Sequence, residues 1–314
     1  MMRSFQIGFL ASLLKFSLTF SYVPRNFNGT TPNIKEIIIG RCNQFQQVSS
    51  QNKNPALFVN VDCQQFWSLF NSSFAFKDSC NNGVINESSY DLLFNLTKSD
   101  SLLYDQAMFW SGTRQIVHEY TYIKNSFFTL EDTFNGYVAN DLNWCGCKTC
   151  PDGINYNSCM GCTKATDSFW ARASRTFAEN AGGKVYVMVN GTTEKNYTAY
   201  YNGSYFGRIE LPTLGKMKQI TSMVILVVNN LDTPPTELCG QGSLAKLVQD
   251  ANKLGISNIN CIDDPRDTYF LQCAKYPDAE ECQATSSSLL NNVSWKNFTA
   301  SFLAWSIILY FQIV

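Results

Sequence analysis

Twelve cysteines, at positions 42, 63, 80, 145, 147, 150, 159, 162, 239, 261, 273 and 282, all fall between two apolar chain ends. An even set of this kind points to an oxidising compartment and to a disulfide framework, which ties distant segments together and leaves few folds open. Five of them crowd into Cys145-x-Cys147-x-x-Cys150 and Cys159-x-x-Cys162. Thiolates two residues apart also suit tetrahedral zinc, so this loop has two readings, of which the exported context favours disulfides.

The chain ends supply that context. Arg3 is followed by an apolar run from Phe5 to Phe20, interrupted by Lys15, and residues 1–21 read as a secretory signal peptide. Sequons of the Asn-x-Ser/Thr type stand at Asn28, Asn71, Asn86, Asn95, Asn190, Asn196 and Asn202, the pattern of an exported glycoprotein. At the other end Phe302 to Val314 is apolar, short for a membrane span and followed by no basic residue. Ser286, Ser287 and Ser288 precede it with a polar spacer between. Residues 288–314 therefore read as a glycosylphosphatidylinositol (GPI) anchor signal that is removed, with the lipid on Ser287 and the protein tethered to a membrane. A short tail anchor or a buried terminal helix is the alternative.

The intervening residues 22–287 are long enough for one large domain, and an apolar content of 45% supplies real cores. Net charge is −1 and no Lys/Arg block stands out, which argues against a nucleic-acid partner. Oligomeric state is not legible.

Along the chain, Val23 to Gly40 reads as a polar, loosely packed lead-in. Helical spacing of Phe66, Leu69 and Phe70 predicts a helix from Cys63 to Phe76, and Tyr90 to Leu96 suggests another. Ala107 to Ser111 reads as a strand opening on a cleft, and Arg114 to Tyr122 as a helix. That helix carries the only histidine, His118, read as a structural or surface residue rather than a catalyst. Thr129-Leu-Glu-Asp has the pattern of a capping box, predicting a helix through Phe134, Tyr137, Val138 and Leu142 toward Trp144. A further helix is predicted from Phe169 to Ala181 with Gly182-Gly183 as its stop. Val185–Val189, Met223–Val228 and Ile256–Cys261 read as buried strands. Between the last two, Ser243 caps a helix from Leu244 to Leu254 that Gly255 ends, a unit that predicts parallel pairing.

One carboxylate draws attention: Glu210, in Tyr205-Phe206-Gly207-Arg208-Ile209-Glu210, at the end of a sequon-rich loop. Alone, such a glutamate reads as a solvent-facing strand residue, and tryptophans such as Trp110 and Trp170 read as core. In order, however, Phe109-Trp110-Ser111, Thr129-Leu130-Glu131-Asp132-Thr133, Trp144-Cys145, Phe169-Trp170, Phe177-Ala178-Glu179 and Phe206-Gly207-x-x-Glu210 form a constellation. It resembles the ADP-ribosyl cyclase family, ectoenzymes that act on NAD, from about Gly40 to Cys282.

The resemblance implies a two-lobed α/β fold, a mainly helical N-terminal lobe and a lobe with a small parallel sheet, discontinuous in sequence, with the active site between them. It also implies the pairs Cys42–Cys63, Cys80–Cys162, Cys145–Cys159, Cys239–Cys261 and Cys273–Cys282. Cys147 and Cys150 are then left to each other. A further family disulfide has neither cysteine here, and an arginine that some relatives carry two residues after the first tryptophan is replaced by Gly112. Arg114 is near enough to substitute in meeting phosphate.

By the same resemblance Glu210 is the catalytic carboxylate, and Glu131 holds the nicotinamide amide. Trp110 and Trp170 stack on the pyridinium; Ser111, Ser174 and the backbone near Phe206 meet phosphate and ribose. NAD is then the substrate, with NADP left open, and no cofactor is implied. The expected activity is cell-surface NAD glycohydrolysis, with cyclisation to cyclic ADP-ribose and base exchange as minor routes. Tyr205 is expected to influence that partition. The rival is a catalytically inactive receptor or adhesion module on the same scaffold; a third reading, a metal enzyme built on the clustered cysteines, requires free thiols.

Overall fold

A computed structural model describes residues 28–49, 57–81, 83–99, 101–194 and 197–283. The signal-peptide and anchor segments, Ser287 and the Asn196 sequon lie outside the described residues.

The helical lobe is built on aromatic packing. Helix α1 (Ile34–Ser49) buries Ile34, Ile38, Cys42 and Phe45 along one face. It begins inside the predicted lead-in, at Ile34, because those four residues recur at helical spacing although the Ile37-Ile38-Ile39 run conceals it. Helix α2 (Cys63–Phe74) is capped by Asp62, whose carboxylate accepts the Gln64 and Gln65 N–H groups, and it buries Phe66, Phe70 and Phe74. A 3-10 turn (Glu87–Tyr90) leads into α3 (Asp91–Leu96). At the centre stands Trp144, fully buried, its indole N–H donating to the Tyr90 hydroxyl at 2.9 Å while that hydroxyl donates to the Ala165 carbonyl at 2.9 Å. A buried indole needs such a partner, and satisfying it fixes one aromatic arrangement.

The second lobe is a parallel sheet. Strands β1 (Leu103–Tyr104) and β2 (Met108–Ser111) both pair with β3 (Ala181–Asn190), which pairs with β4 (Ile220–Val228) and then β5 (Ile259–Asp263), every pair parallel. Alternation is strict where the sheet is covered on both faces. Val185, Val187 and Val189 with Met223, Ile225 and Val227 face one core, and Met188 with Leu226 and Val228 the other. Helices α4 (Arg114–Lys124) and α9 (Arg266–Lys275) pack together, and α8 (Gly242–Lys253) buries Leu244, Leu247 and Ala251. Gly255 follows α8 with φ of 91°, the left-handed stop predicted for it.

Three local predictions are corrected. The Thr129 helix does not run to Trp144: a 3-10 turn (Leu130–Asp132) ends at Thr133, which takes extended dihedrals and caps the short α5 (Phe134–Ala139). Gly182-Gly183 do not stop a helix. Helix α6 (Lys164–Glu179) ends before them, and they lie in β3, where a Cβ at Gly183 would come within 2.3 Å of Asp105 Oδ1 and φ is 66°. Ser243 is not the cap of α8, since its N–H and hydroxyl both donate to Glu237 Oε2, at 2.7 and 2.5 Å.

The disulfides are Cys42–Cys63, Cys80–Cys162, Cys145–Cys159, Cys239–Cys261 and Cys273–Cys282, the five pairs that the resemblance implies, and Cys147–Cys150, the pair left over. All twelve cysteines are consumed, so the clustered loop offers no thiolate. Asn28, Asn86, Asn95 and Asn202 stand exposed, whereas Asn71 and Asn190 are half-buried.

Candidate active site

Between the helical core and the sheet core opens a cavity of about 720 Å³, at the carboxyl end of β2 where open parallel sheets place their ligands. Its wall includes all eight of the sequence candidates: Trp110, Ser111, Arg114, Glu131, Trp170, Ser174, Phe206 and Glu210. Parallel pairing with β3 sets the direction of β2, so Trp110 and Ser111 emerge at its end.

Helix α6 contributes Asp167, Trp170, Ser174 and Phe177, spaced three or four apart and hence on one face. The 3-10 turn contributes Glu131. Asp132 pins that turn by accepting the Thr129 N–H at 2.7 Å and hydroxyl at 3.0 Å, the back-reaching half of the predicted capping box. Glu131 Oε2 in turn accepts the Trp110 indole N–H at 3.3 Å.

Glu210 closes a π-helical turn (Phe206–Glu210) that runs into α7 (Leu211–Leu214), with Pro212 inside the first turn. It is neither a loop nor a strand residue, and it is only 6% exposed. Burial pushes its carboxyl up to about 8; a hydrogen bond from Ser174 opposes the shift and the charge of Glu131 adds to it. Ser174 is itself buried. Single-turn π bulges occur often at functional sites, and here the turn holds a buried carboxylate at the wall of the cavity.

Phe206 lines the cavity as expected, whereas Arg114 is found already engaged. The Phe206 ring packs into the sheet core against Phe109 and Tyr200, leaving its backbone to face the cavity. Arg114 reaches the wall, but its guanidinium donates to Asn140 Oδ1 at 2.9 Å and to Asp141 at 2.9 and 3.0 Å, so it is already held. Gly112 has φ of 72°, a region that a side chain there would strain to enter. Asn140, Asp141 and Asp167 are wall residues that sequence reasoning missed; only Asp167 carried a signal, three residues before Trp170 on one helical face. Tyr205 lines the cavity with its hydroxyl toward the Asp167 carbonyl at 3.4 Å, and the Arg208 guanidinium lies 4.6 Å from its ring centre.

A family model described as ADP-ribosyl cyclase matches residues 31–282. The chain is 35% identical over 259 residues to an ADP-ribosyl cyclase/cyclic ADP-ribose hydrolase of Aplysia kurodai, covering 81% of this chain and 87% of that protein. It is 31% identical to the human ADP-ribosyl cyclase/cyclic ADP-ribose hydrolase 2, covering 83% and 78%. Among solved structures, an ADP-ribosyl cyclase complexed with N1-cIDPR superposes with a TM-score of 0.71 at 32% identity, over 81% of this chain and 98% of that one. Porcine CD38 with a covalent intermediate, ribo-F-ribose-5'-phosphate, gives 0.66 at 31% identity, over 76% and 99%. A match across the whole described body, with both lobes and the cavity between them included, means that the chain belongs to the ADP-ribosyl cyclase family.

Proposed function

We propose that the chain is a cell-surface NAD glycohydrolase that breaks the bond between nicotinamide and ribose. The observation that carries the reading is one buried carboxylate, Glu210, facing the same cavity as Trp110, Trp170 and Glu131. The pyridinium of NAD is already cationic, so its ring nitrogen departs with the bonding electron pair as neutral nicotinamide and needs no general acid, unlike ordinary glycosides. Positive charge then develops at the ribose carbon. Glu210 stabilises it, and water adds its oxygen to that carbon and releases a proton, giving ADP-ribose. Glu131 accepts from the nicotinamide amide, the tryptophans flank the ring, and Ser174 orients Glu210.

Hydrolysis is the main outcome because water capture requires no folded-back substrate; capture by the adenine gives cyclic ADP-ribose, and capture by another pyridine gives base exchange. A disulfide-rich fold fits an extracellular protein. Attachment through a lipid on Ser287 is part of the proposal, and failure of an anchor-specific phospholipase to release the protein from cells would remove it. The decisive test is chromatography of products after incubating the ectodomain with NAD, beside folded Glu210→Gln. Nicotinamide and ADP-ribose are expected from the first, and a loss on the order of 10³-fold from the second. Intact NAD in both samples overturns the enzyme reading and leaves the inactive receptor or adhesion module.

A further inference from the structure

We propose that His118, the only histidine of the chain, is a positioning residue that completes the hold on Glu131 and so sets recognition of the nicotinamide amide. The inference rests on the role of Glu131 proposed above. His118 projects from α4 behind the cavity wall, its ring 6.1 Å from the Trp110 ring and steeply inclined to it. Its Nε2 is buried and makes no hydrogen bond, and it lies 3.9 Å from Glu131 Oε2. A buried nitrogen left unpaired is costly, which favours a small approach that pairs it. The nearby carboxylate of Asp132 turns its Oδ2 to the Thr129 N–H and hydroxyl. Glu131 Oε2 has its other contact with the Trp110 indole at 3.3 Å. A shift of about 1 Å brings Nε2–H to hydrogen-bond distance from Glu131. The carboxylate is then gripped from two sides, and its free oxygen is aimed at the amide.

The test compares kcat/KM for NAD with that for the analogue whose carboxamide is replaced by an acetyl group, which cannot donate to Glu131. Native protein is expected to prefer NAD. Glu131→Gln should erode that preference, and His118→Phe, which keeps a ring against Trp110 but has no N–H, should erode it by roughly tenfold, the size of a lost hydrogen bond to a charged group. His118→Gln, whose amide nitrogen reaches the Nε2 position, should restore most of it. A merely structural histidine would lower both substrates alike and leave the ratio unchanged. Should His118→Phe fail to fold, His118→Asn, whose amide stops short, takes its place. If native protein cleaves neither substrate, the proposed activity itself fails. If it cleaves NAD and either the Glu131 or the His118 substitution leaves the preference intact, the positioning role is overturned.

Discussion

A carboxyl held near pH 8 inside a folded protein must express itself in stability as well as in catalysis. Glu210 ionises at its ordinary value of 4.5 when unfolded and at about 8 when folded, because burial disfavours its charge. Between those values the unfolded chain has released a proton that the folded one retains, so rising pH favours unfolding. Stability associated with Glu210 is therefore complete below about pH 4.5 and is lost as pH rises toward 8. Glu210→Gln should be more stable than native protein at pH 8, by several kcal/mol at most, with no difference near pH 4; melting curves at the two pH values check this. The cationic pyridinium reverses the electrostatic balance when it enters, so kcat/KM for NAD should rise with pH on an acid limb that approaches pH 8. At the other polar wall, Arg114 and Asp141 are both half-exposed, and such pairs are worth about 1 kcal/mol or less. Asp141→Asn should then lower KM for NAD only a few-fold by releasing the guanidinium, while Arg114→Ala raises it; steady-state kinetics with NAD separate the two.

At the scale of elements, the π-helical turn is held by a glycine as much as by its hydrogen bonds. A Cβ on Gly207 would come within 2.6 Å of the Asn202 Cα and the Tyr201 carbonyl, both backbone atoms that cannot rotate away. Gly207→Ala is expected to cost about 1–3 kcal/mol by overpacking and to displace Glu210, lowering the melting temperature and kcat together. The sheet was legible because buried parallel strands declare themselves as β-branched runs, as at Val185–Val189 and Met223–Val228. Helix α1 was not, since its polar start reads as a loose lead-in and the helix is decided by what Ile34, Ile38, Cys42 and Phe45 pack against. The same limit applies to the site. Trp110, Glu131, Trp170 and Glu210 could be picked out from their order along the chain. The hold of Asn140 and Asp141 on Arg114, and the approach of His118 to Glu131, depend on how α4, α5 and the 3-10 turn meet in space. No local pattern records that meeting.

For the whole molecule, the disulfide that matters most to the chain's entropy is Cys80–Cys162, which joins positions 82 residues apart. The segment it closes contains β2 with Trp110, α4, the Glu131 turn and α5, so the loop runs from the helical lobe into the sheet lobe and back. In the chain-entropy model, closing a loop of that length stabilises the fold by about 4–5 kcal/mol, a large part of the roughly 5–15 kcal/mol that a domain commonly has. Cys147–Cys150 closes a segment of only 3 residues and constrains the unfolded chain far less. The double substitution Cys80→Ser/Cys162→Ser should therefore lower the melting temperature by roughly 8–20 degrees, whereas Cys147→Ser/Cys150→Ser should lower it by a few. Because neither pair lines the cavity, both variants should retain native KM for NAD at low temperature. Equal melting temperatures for the two double variants would overturn the entropic account. A raised KM in the Cys80→Ser/Cys162→Ser protein alone would mean that this bond also sets the distance between the lobes, and with it the shape of the cavity.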